Sequence, residues 1–72
     1  MKITLILFIC SYVAGDCLPG HEWPKQFNDM YDCMNAGYEK SISKMEEIGR
    51  DDVNKYEIFI RFACAEKIET NT

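Results

Sequence analysis

The stretch MKITLILFICSYVAG, Met1–Gly15, decides how the rest of the chain is interpreted. One positive charge at Lys2 precedes an almost unbroken apolar run, and small residues close the stretch. This is the three-part layout of a secretory signal peptide, with cleavage expected before Asp16. The apolar run is too short for a transmembrane helix, which needs about 20 apolar residues. The sequence therefore predicts a signal peptide over residues 1–15 and a mature single small domain over residues 16–72.

The charge of the chain narrows the classes of partner. The formal net charge is −4, and loss of Lys2 with the leader makes the mature chain more negative. Cationic pore-formers and nucleic-acid binders need the opposite sign, because attraction to anionic lipid or phosphate is their first step. We therefore expect no nucleic-acid partner and no membrane insertion.

The mature chain predicts an all-α fold, a small disulfide-stabilised helical hairpin with an N-terminal arm. A long helix is expected at about 24–48, because eight apolar residues fall within a stripe about 120° wide. The stripe keeps its phase across Gly37, which favours one helix. A break at residues 35–37, with a restart at Ser43 through a capping box with Glu46, remains open. The stripe, which we expect to be core, consists of Phe27, Met30, Tyr31, Met34, Tyr38, Ile42, Met45 and Ile48.

A second helix is expected at about 52–68. Gly49 is a typical helix stop, and Asp51 or Asp52 a typical start. The run IFIRFA at 58–63 also has the β-branched and aromatic content of a strand. The mature chain offers no second strand to pair with it, and a lone strand leaves its backbone groups unsatisfied. Helix is therefore the prediction for this segment.

The cysteines predict one intramolecular bridge. Of four cysteines, Cys10 leaves with the leader, so an odd number remains. The hairpin brings Cys33 and Cys64 within about one helical turn of each other. Loop-closure entropy predicts a stabilisation of about 3.7 kcal/mol for that bridge and about 3 kcal/mol for a Cys17–Cys33 bridge. These values are too similar to separate the two pairings, so we choose between them by the distance across the hairpin. We predict Cys33–Cys64, with Cys17 free or forming an intermolecular bridge in a disulfide-linked dimer.

Catalytic and metal chemistry find no support in the sequence. The one histidine, His21, lies on the proline- and glycine-rich arm, and no nucleophile stands at a recognisable motif spacing. The cysteines lack the closely spaced pairs of zinc modules. A small helical hairpin offers no cleft for paired carboxylates. We expect no catalytic residues, no metal site and no cofactor.

The short leader, the acidic mature chain and the widely spaced Cys17, Cys33 and Cys64 together resemble the small secreted cysteine peptides of arthropod venom or salivary glands. The helical, acidic microplusins of arachnids are also similar. They carry more cysteines and histidine-rich ends, so their copper-sequestering chemistry does not carry over. The chain lacks the dense cysteines of knottin-type toxins. The resemblance implies a secreted, toxin-type peptide.

The functional prediction is a secreted, non-enzymatic effector or venom-type peptide that binds an extracellular protein. Trp23 on the arm, with Ile58 and Phe62 on the outer flank of the second helix, form the candidate binding surface, since they lack a core partner in a hairpin. Packing of these residues on the arm or in a dimer interface remains open. The alternative is a host-defence or carrier peptide that holds lipid or a small apolar ligand among Met30, Met34, Met45 and aromatic residues.

Overall fold

The computed structural model describes residues 2–66 and has a mixed α/β fold, so the all-α hairpin prediction is wrong. Four antiparallel strands form one sheet, and two helices lie between the third and fourth strands. The elements in chain order are β1 (Ile3–Ser11), β2 (Asp16–Cys17), β3 (His21–Phe27), α1 (Met30–Ile48), α2 (Arg50–Tyr56) and β4 (Ile58–Glu66).

Strand β1 is the centre of the sheet. It pairs with β4 along its full length, from Ile3 opposite Glu66 to Ser11 opposite Ile58. Its other edge is shared by β3 near the start of β1 and by β2 near its end. Each of the other strands therefore depends on β1 for its backbone hydrogen bonds.

The second predicted helix fails because its strand partner lies in the segment assigned to the leader. The run IFIRFA begins β4, and it pairs with β1 rather than with anything in residues 16–57. Helix α2 ends after one short stretch at Tyr56, where Glu57 adopts a left-handed conformation with φ +50°. Residues 67 and 68 of the predicted helix lie outside the described part of the chain.

The boundaries of the long helix also differ from the prediction. Residues 24–27 belong to β3, and α1 begins at Met30. Asp29 caps this start, because its Oδ1 accepts a hydrogen bond of 2.8 Å from the backbone N–H of Asp32. The helix runs without a break through Gly37 and ends before Gly49, where the sequence predicts a helix stop. The continuous-helix alternative therefore describes α1, over a shorter range.

The core lies between α1 and one face of the sheet. Because side chains alternate along a strand, Ile3, Leu5 and Leu7 point to the same face of β1, and all three are buried. Helix α1 covers that face with the small residues Cys33 and Ala36, which are buried with them. Trp23, Phe62 and Cys64 pack against this cluster from the neighbouring strands.

The predicted cleavage before Asp16 has a defined consequence for this fold. The structure is that of the uncleaved chain, and β1 and Cys10 both lie within residues 1–15. Cleavage would remove the central strand and the disulfide partner of Cys17. The signal peptide stays a prediction, and the strand and leader roles of this stretch exclude each other once cleavage has occurred.

Candidate functional site

All four cysteines form intramolecular disulfides, Cys33–Cys64 and Cys10–Cys17. The first is the pair chosen from the sequence, although it joins α1 to a strand rather than to a second helix. The second corrects the prediction for Cys17, which is neither free nor available for an intermolecular bridge. That prediction is wrong because the partner of Cys17, Cys10, lies in the stretch assigned to the leader.

Phe62 does not lie on an outer helical flank, as the sequence predicted. It belongs to β4, opposite Leu7, and its ring lies against Gly37 of α1. The ring of Tyr38 meets it edge-to-face with the centroids 4.9 Å apart. The helix therefore covers Phe62, which closes the core instead of extending into solvent.

The other two predicted binding residues are also half-buried, and they lie in different parts of the sheet. Trp23 is in β3, packed against the core, with the Nζ of Lys40 5.2 Å from its ring centroid. Ile58 opens β4 opposite Ser11, at the far end of the sheet. The structure does not assemble Trp23, Ile58 and Phe62 into one surface. Their proposed role in binding rested on a hairpin that the chain does not form.

A row of exposed apolar side chains runs along the outer face of α1 instead. Tyr31, Tyr38 and Ile42 are 76%, 59% and 61% exposed. At about 100° per residue their directions fall within about 40° of one another, and at 1.5 Å per residue the row is about 16 Å long. We call this row the tyrosine stripe.

The tyrosine stripe faces solvent because α1 packs through its opposite side. Cys33, Ala36 and Gly37 are buried against the sheet, and at 100° per residue they point away from the stripe. Their small side chains let the helix axis approach the strands closely. Of the apolar stripe predicted as core, Phe27 is buried as part of β3, and none of its residues on α1 is fully buried. Small residues at i, i+3 and i+4 were the sequence signal that marks the packing face.

Acidic side chains follow one edge of the tyrosine stripe. Asp32, Glu39 and Glu46 recur every seven residues, and all three are exposed. Among residues 2–66 the structure has one ion pair, Lys44 Nζ to Glu47 Oε1 at 2.8 Å, which lies on another side of the helix. We call these three carboxylates the acidic rim. The stripe and rim together offer apolar contact beside negative charge.

A cavity of about 230 Å³ lies on the helix-covered side of the sheet. We call it the apolar cavity, because most of its lining is aliphatic or aromatic, with a histidine and a lysine as its polar groups. Its lining residues are Leu7, Ile9, Leu18, Pro19, His21, Trp23, Lys44 and Ile60.

Within residues 2–66, no three His, Cys, Asp or Glu side chains come together in a group that could hold a metal ion. Over the same residues, neither helix is both long enough and apolar enough to cross a bilayer. His21 meets the Trp23 ring edge-on, with the centroids 5.9 Å apart. The described chain thus presents two features suited to binding, the tyrosine stripe with its acidic rim and the apolar cavity.

Comparison with known proteins found no relative of this chain. No family model, no curated protein and no solved structure matches it. Functional inference therefore depends on the surfaces of this chain alone.

Proposed function

We propose that the protein is a secreted, non-enzymatic effector that binds an extracellular protein through the tyrosine stripe. The exposure of Tyr31, Tyr38 and Ile42 in one row carries this proposal. Single exposed apolar residues are ordinary on protein surfaces, whereas several that share one face of a helix suit an interaction site. Tyrosine is also enriched among residues that contribute most to binding energy.

The acidic rim indicates the chemistry of the partner. A helix that presents an apolar row docks most simply into an apolar groove. Asp32, Glu39 and Glu46 would then face one wall of that groove, and basic side chains there would complement them. The net charge of −4 would also draw the whole molecule toward a positively charged partner. The proposed partner is a protein with an apolar groove that has a basic edge.

The acidic rim also argues against a second copy of the chain as the partner. In an antiparallel pair of α1 helices, the same flank of each helix meets its counterpart. The two acidic rims would then oppose each other, and like charges brought together are unfavourable. A different, basic partner avoids this repulsion.

Three features support an extracellular location. The two intramolecular disulfides are consistent with an oxidising, extracellular environment. The leader-like stretch at Met1–Gly15 supports export, as does the resemblance to venom and salivary peptides. The proposal requires that the exported chain keep this stretch, because β1 and Cys10 lie within it. A chain with a C-terminal tag should appear, with oxidised cysteines, in the medium of a secretory host. Retention of the chain inside the host cells would contradict export.

The carrier alternative loses its original site. It placed a ligand between two helices, among Met30, Met34 and Met45. Met30 is 48% exposed, Met34 and Met45 are half-buried, and a strand takes the place of most of the second helix. A ligand would instead need the apolar cavity, which uses other residues.

Cross-linking from the tyrosine stripe tests the proposed function. A photoreactive residue in place of Ile42 should link to a partner when the chain is mixed with extracellular proteins. The same residue in place of Ala63, which is exposed on β4 on the sheet face away from α1, serves as the matched control and should not link.

The identified partner is then purified and titrated. The double variant Tyr31→Ser/Ile42→Ser should weaken its binding by at least about 2 kcal/mol, or roughly 30-fold, because both side chains lie in the interface. Ala63→Ser should bind like the unmodified chain. Undiminished binding by the double variant would contradict the proposal. So would a concentration-dependent dimer in sedimentation that the double variant abolishes, since the stripe would then be covered by a second copy.

A further inference from the structure

We infer that the apolar cavity is a second binding site, which takes a small amphipathic anion, a carboxylate with a short alkyl chain. The inference is independent of the proposed protein-binding function. The cavity lies between the sheet and the side of α1 that carries Lys44, whereas the tyrosine stripe faces solvent on the outer side of that helix.

The floor of the cavity is built to contact an alkyl chain. Ile9 and Ile60 are directly opposite each other in the β1–β4 pair, so their side chains lie on the same face. Leu7 continues that face along β1, while Leu18 and Trp23 form the walls. No acidic side chain is among the lining residues, although the chain carries twelve Asp and Glu. An alkyl chain placed here would meet aliphatic and aromatic carbon.

The mouth of the cavity has one lysine, Lys44, whose ammonium group is paired with Glu47. Lys40, one helical turn earlier, lies outside the lining of this cavity, with its Nζ 5.2 Å from the centroid of the Trp23 ring. The Nζ of Lys44 donates to Glu47 Oε1 at 2.8 Å. An ammonium group has three donors, so Lys44 keeps hydrogen-bonding capacity for a second carboxylate. The neighbouring floor would hold the tail of that ligand.

The size of the cavity limits the ligand. A volume of about 230 Å³ corresponds to roughly eight water molecules at about 30 Å³ each. It is smaller than the 300–1,000 Å³, approximately, that pockets for drug-sized ligands occupy. A single alkyl chain of about six to eight carbons matches this space, whereas a two-chain lipid would not enter. Octanoate is therefore a suitable probe, with octanol as its uncharged counterpart.

Trp23 supplies the readout. It is the only tryptophan in the chain, and it lines the cavity. Titration of the full oxidised chain with octanoate should change the Trp23 fluorescence, with a Kd of about 1 mM or tighter. Octanol lacks the carboxylate, so it should bind at least about tenfold more weakly. This comparison uses the unmodified chain and does not depend on the folding of a variant.

Charge removal at the mouth completes the test. Lys44→Gln should weaken octanoate binding about tenfold and leave octanol binding unchanged. Lys55→Gln on α2, away from the cavity, should leave both ligands unaffected. The tyrosine-stripe variant Tyr31→Ser/Ile42→Ser should also bind octanoate normally, which separates this inference from the proposed function. Equal affinity for octanoate and octanol would overturn the inference, and so would unchanged Trp23 fluorescence up to about 10 mM octanoate.

Discussion

Gly37 shows how one residue sets the distance between the helix and the sheet. A Cβ atom built on Gly37 would overlap the ring of Phe62, so the contact requires the missing side chain. The Tyr38 ring holds the Phe62 ring from the next position of α1. Glycine weakens a helix interior relative to alanine, by about 0.5–1 kcal/mol. Its presence in α1 is therefore explained by close packing rather than by a helix break.

Gly37→Ala should destabilise the protein, although alanine is the better helix former. Overlap with Phe62 should cost about 1–3 kcal/mol, which outweighs the gain in helix propensity. We expect the free energy of unfolding, measured by urea denaturation, to fall by about 1–2 kcal/mol.

The exposed position Ser43 provides the matched control on the same helix. Ser43→Ala should raise the free energy of unfolding by a few tenths of a kcal/mol, because only helix propensity changes there. In a Gly37→Ala chain, Phe62→Leu should cost less than it does alone, because the smaller side chain relieves the overlap. A stabilising Gly37→Ala would show that α1 does not approach β4 as described.

At the scale of elements, the apolar periodicity predicts the long helix but not the side through which it packs. The apolar periodicity correctly indicated a continuous helix through Gly37, and Gly49 correctly indicated where it ends. It could not indicate which side packs, because a helix against a sheet can bury small residues and leave its large ones exposed. In α1 the small residues Cys33 and Ala36 are the buried ones. The tyrosine stripe was therefore predicted as an element of the core, although the structure exposes it.

The exposure of the tyrosine stripe predicts a separation between stability and binding. Tyr31→Ser and Ile42→Ser should each change the free energy of unfolding by no more than about 0.5 kcal/mol, because both side chains are largely solvated. Leu5→Ala, which removes a fully buried side chain of β1, should cost about 2–5 kcal/mol. The free energy of unfolding, measured by thermal or urea denaturation, distinguishes the stripe substitutions from the core substitution. A loss above 2 kcal/mol, roughly, for Ile42→Ser would place Ile42 in the core instead.

The two disulfides should differ in their contribution to stability. Cys33–Cys64 joins residues 31 positions apart, and Cys10–Cys17 joins residues 7 apart. Loop-closure entropy gives about 3.7 kcal/mol for the longer loop and about 2.5 kcal/mol for the shorter one. Replacing both cysteines of a pair by alanine should therefore destabilise the fold more for Cys33–Cys64. Equal losses, or the reverse order, in urea denaturation would contradict this ranking.

At the scale of the whole molecule, the sheet was not predicted because Ile3–Ser11 was assigned to a leader. Once Ile3–Ser11 is set aside as a leader, β4 has no partner, and a helix becomes the reasonable prediction for it. The apolar run itself does not distinguish a leader from a buried strand, because both are short, uncharged and hydrophobic. The pairing of β1 with β4 joins opposite ends of the chain, and local sequence patterns do not report such contacts.

The same segment explains which cysteine prediction succeeded. Cys33 and Cys64 both lie beyond residue 15, so their pairing could be predicted whether or not the first fifteen residues are a leader. The partner of Cys17 lies within the leader stretch and was discarded with it. The two candidate binding features also differ in whether they depend on the leader stretch. The tyrosine stripe lies wholly on α1, whereas Leu7 and Ile9 of the apolar cavity belong to β1.

Hydrogen exchange tests most directly the central claim that the uncleaved chain folds around Ile3–Ser11. In the full oxidised chain, we predict that the amides of β1 are protected as strongly as those of α1, since β1 has strand neighbours on both edges. A chain of residues 16–72, which lacks β1, should lose protection throughout β4. Either of two results would contradict the claim. The amides of Ile3–Ser11 could exchange freely while α1 stays protected, or residues 16–72 alone could retain the protection of the full chain.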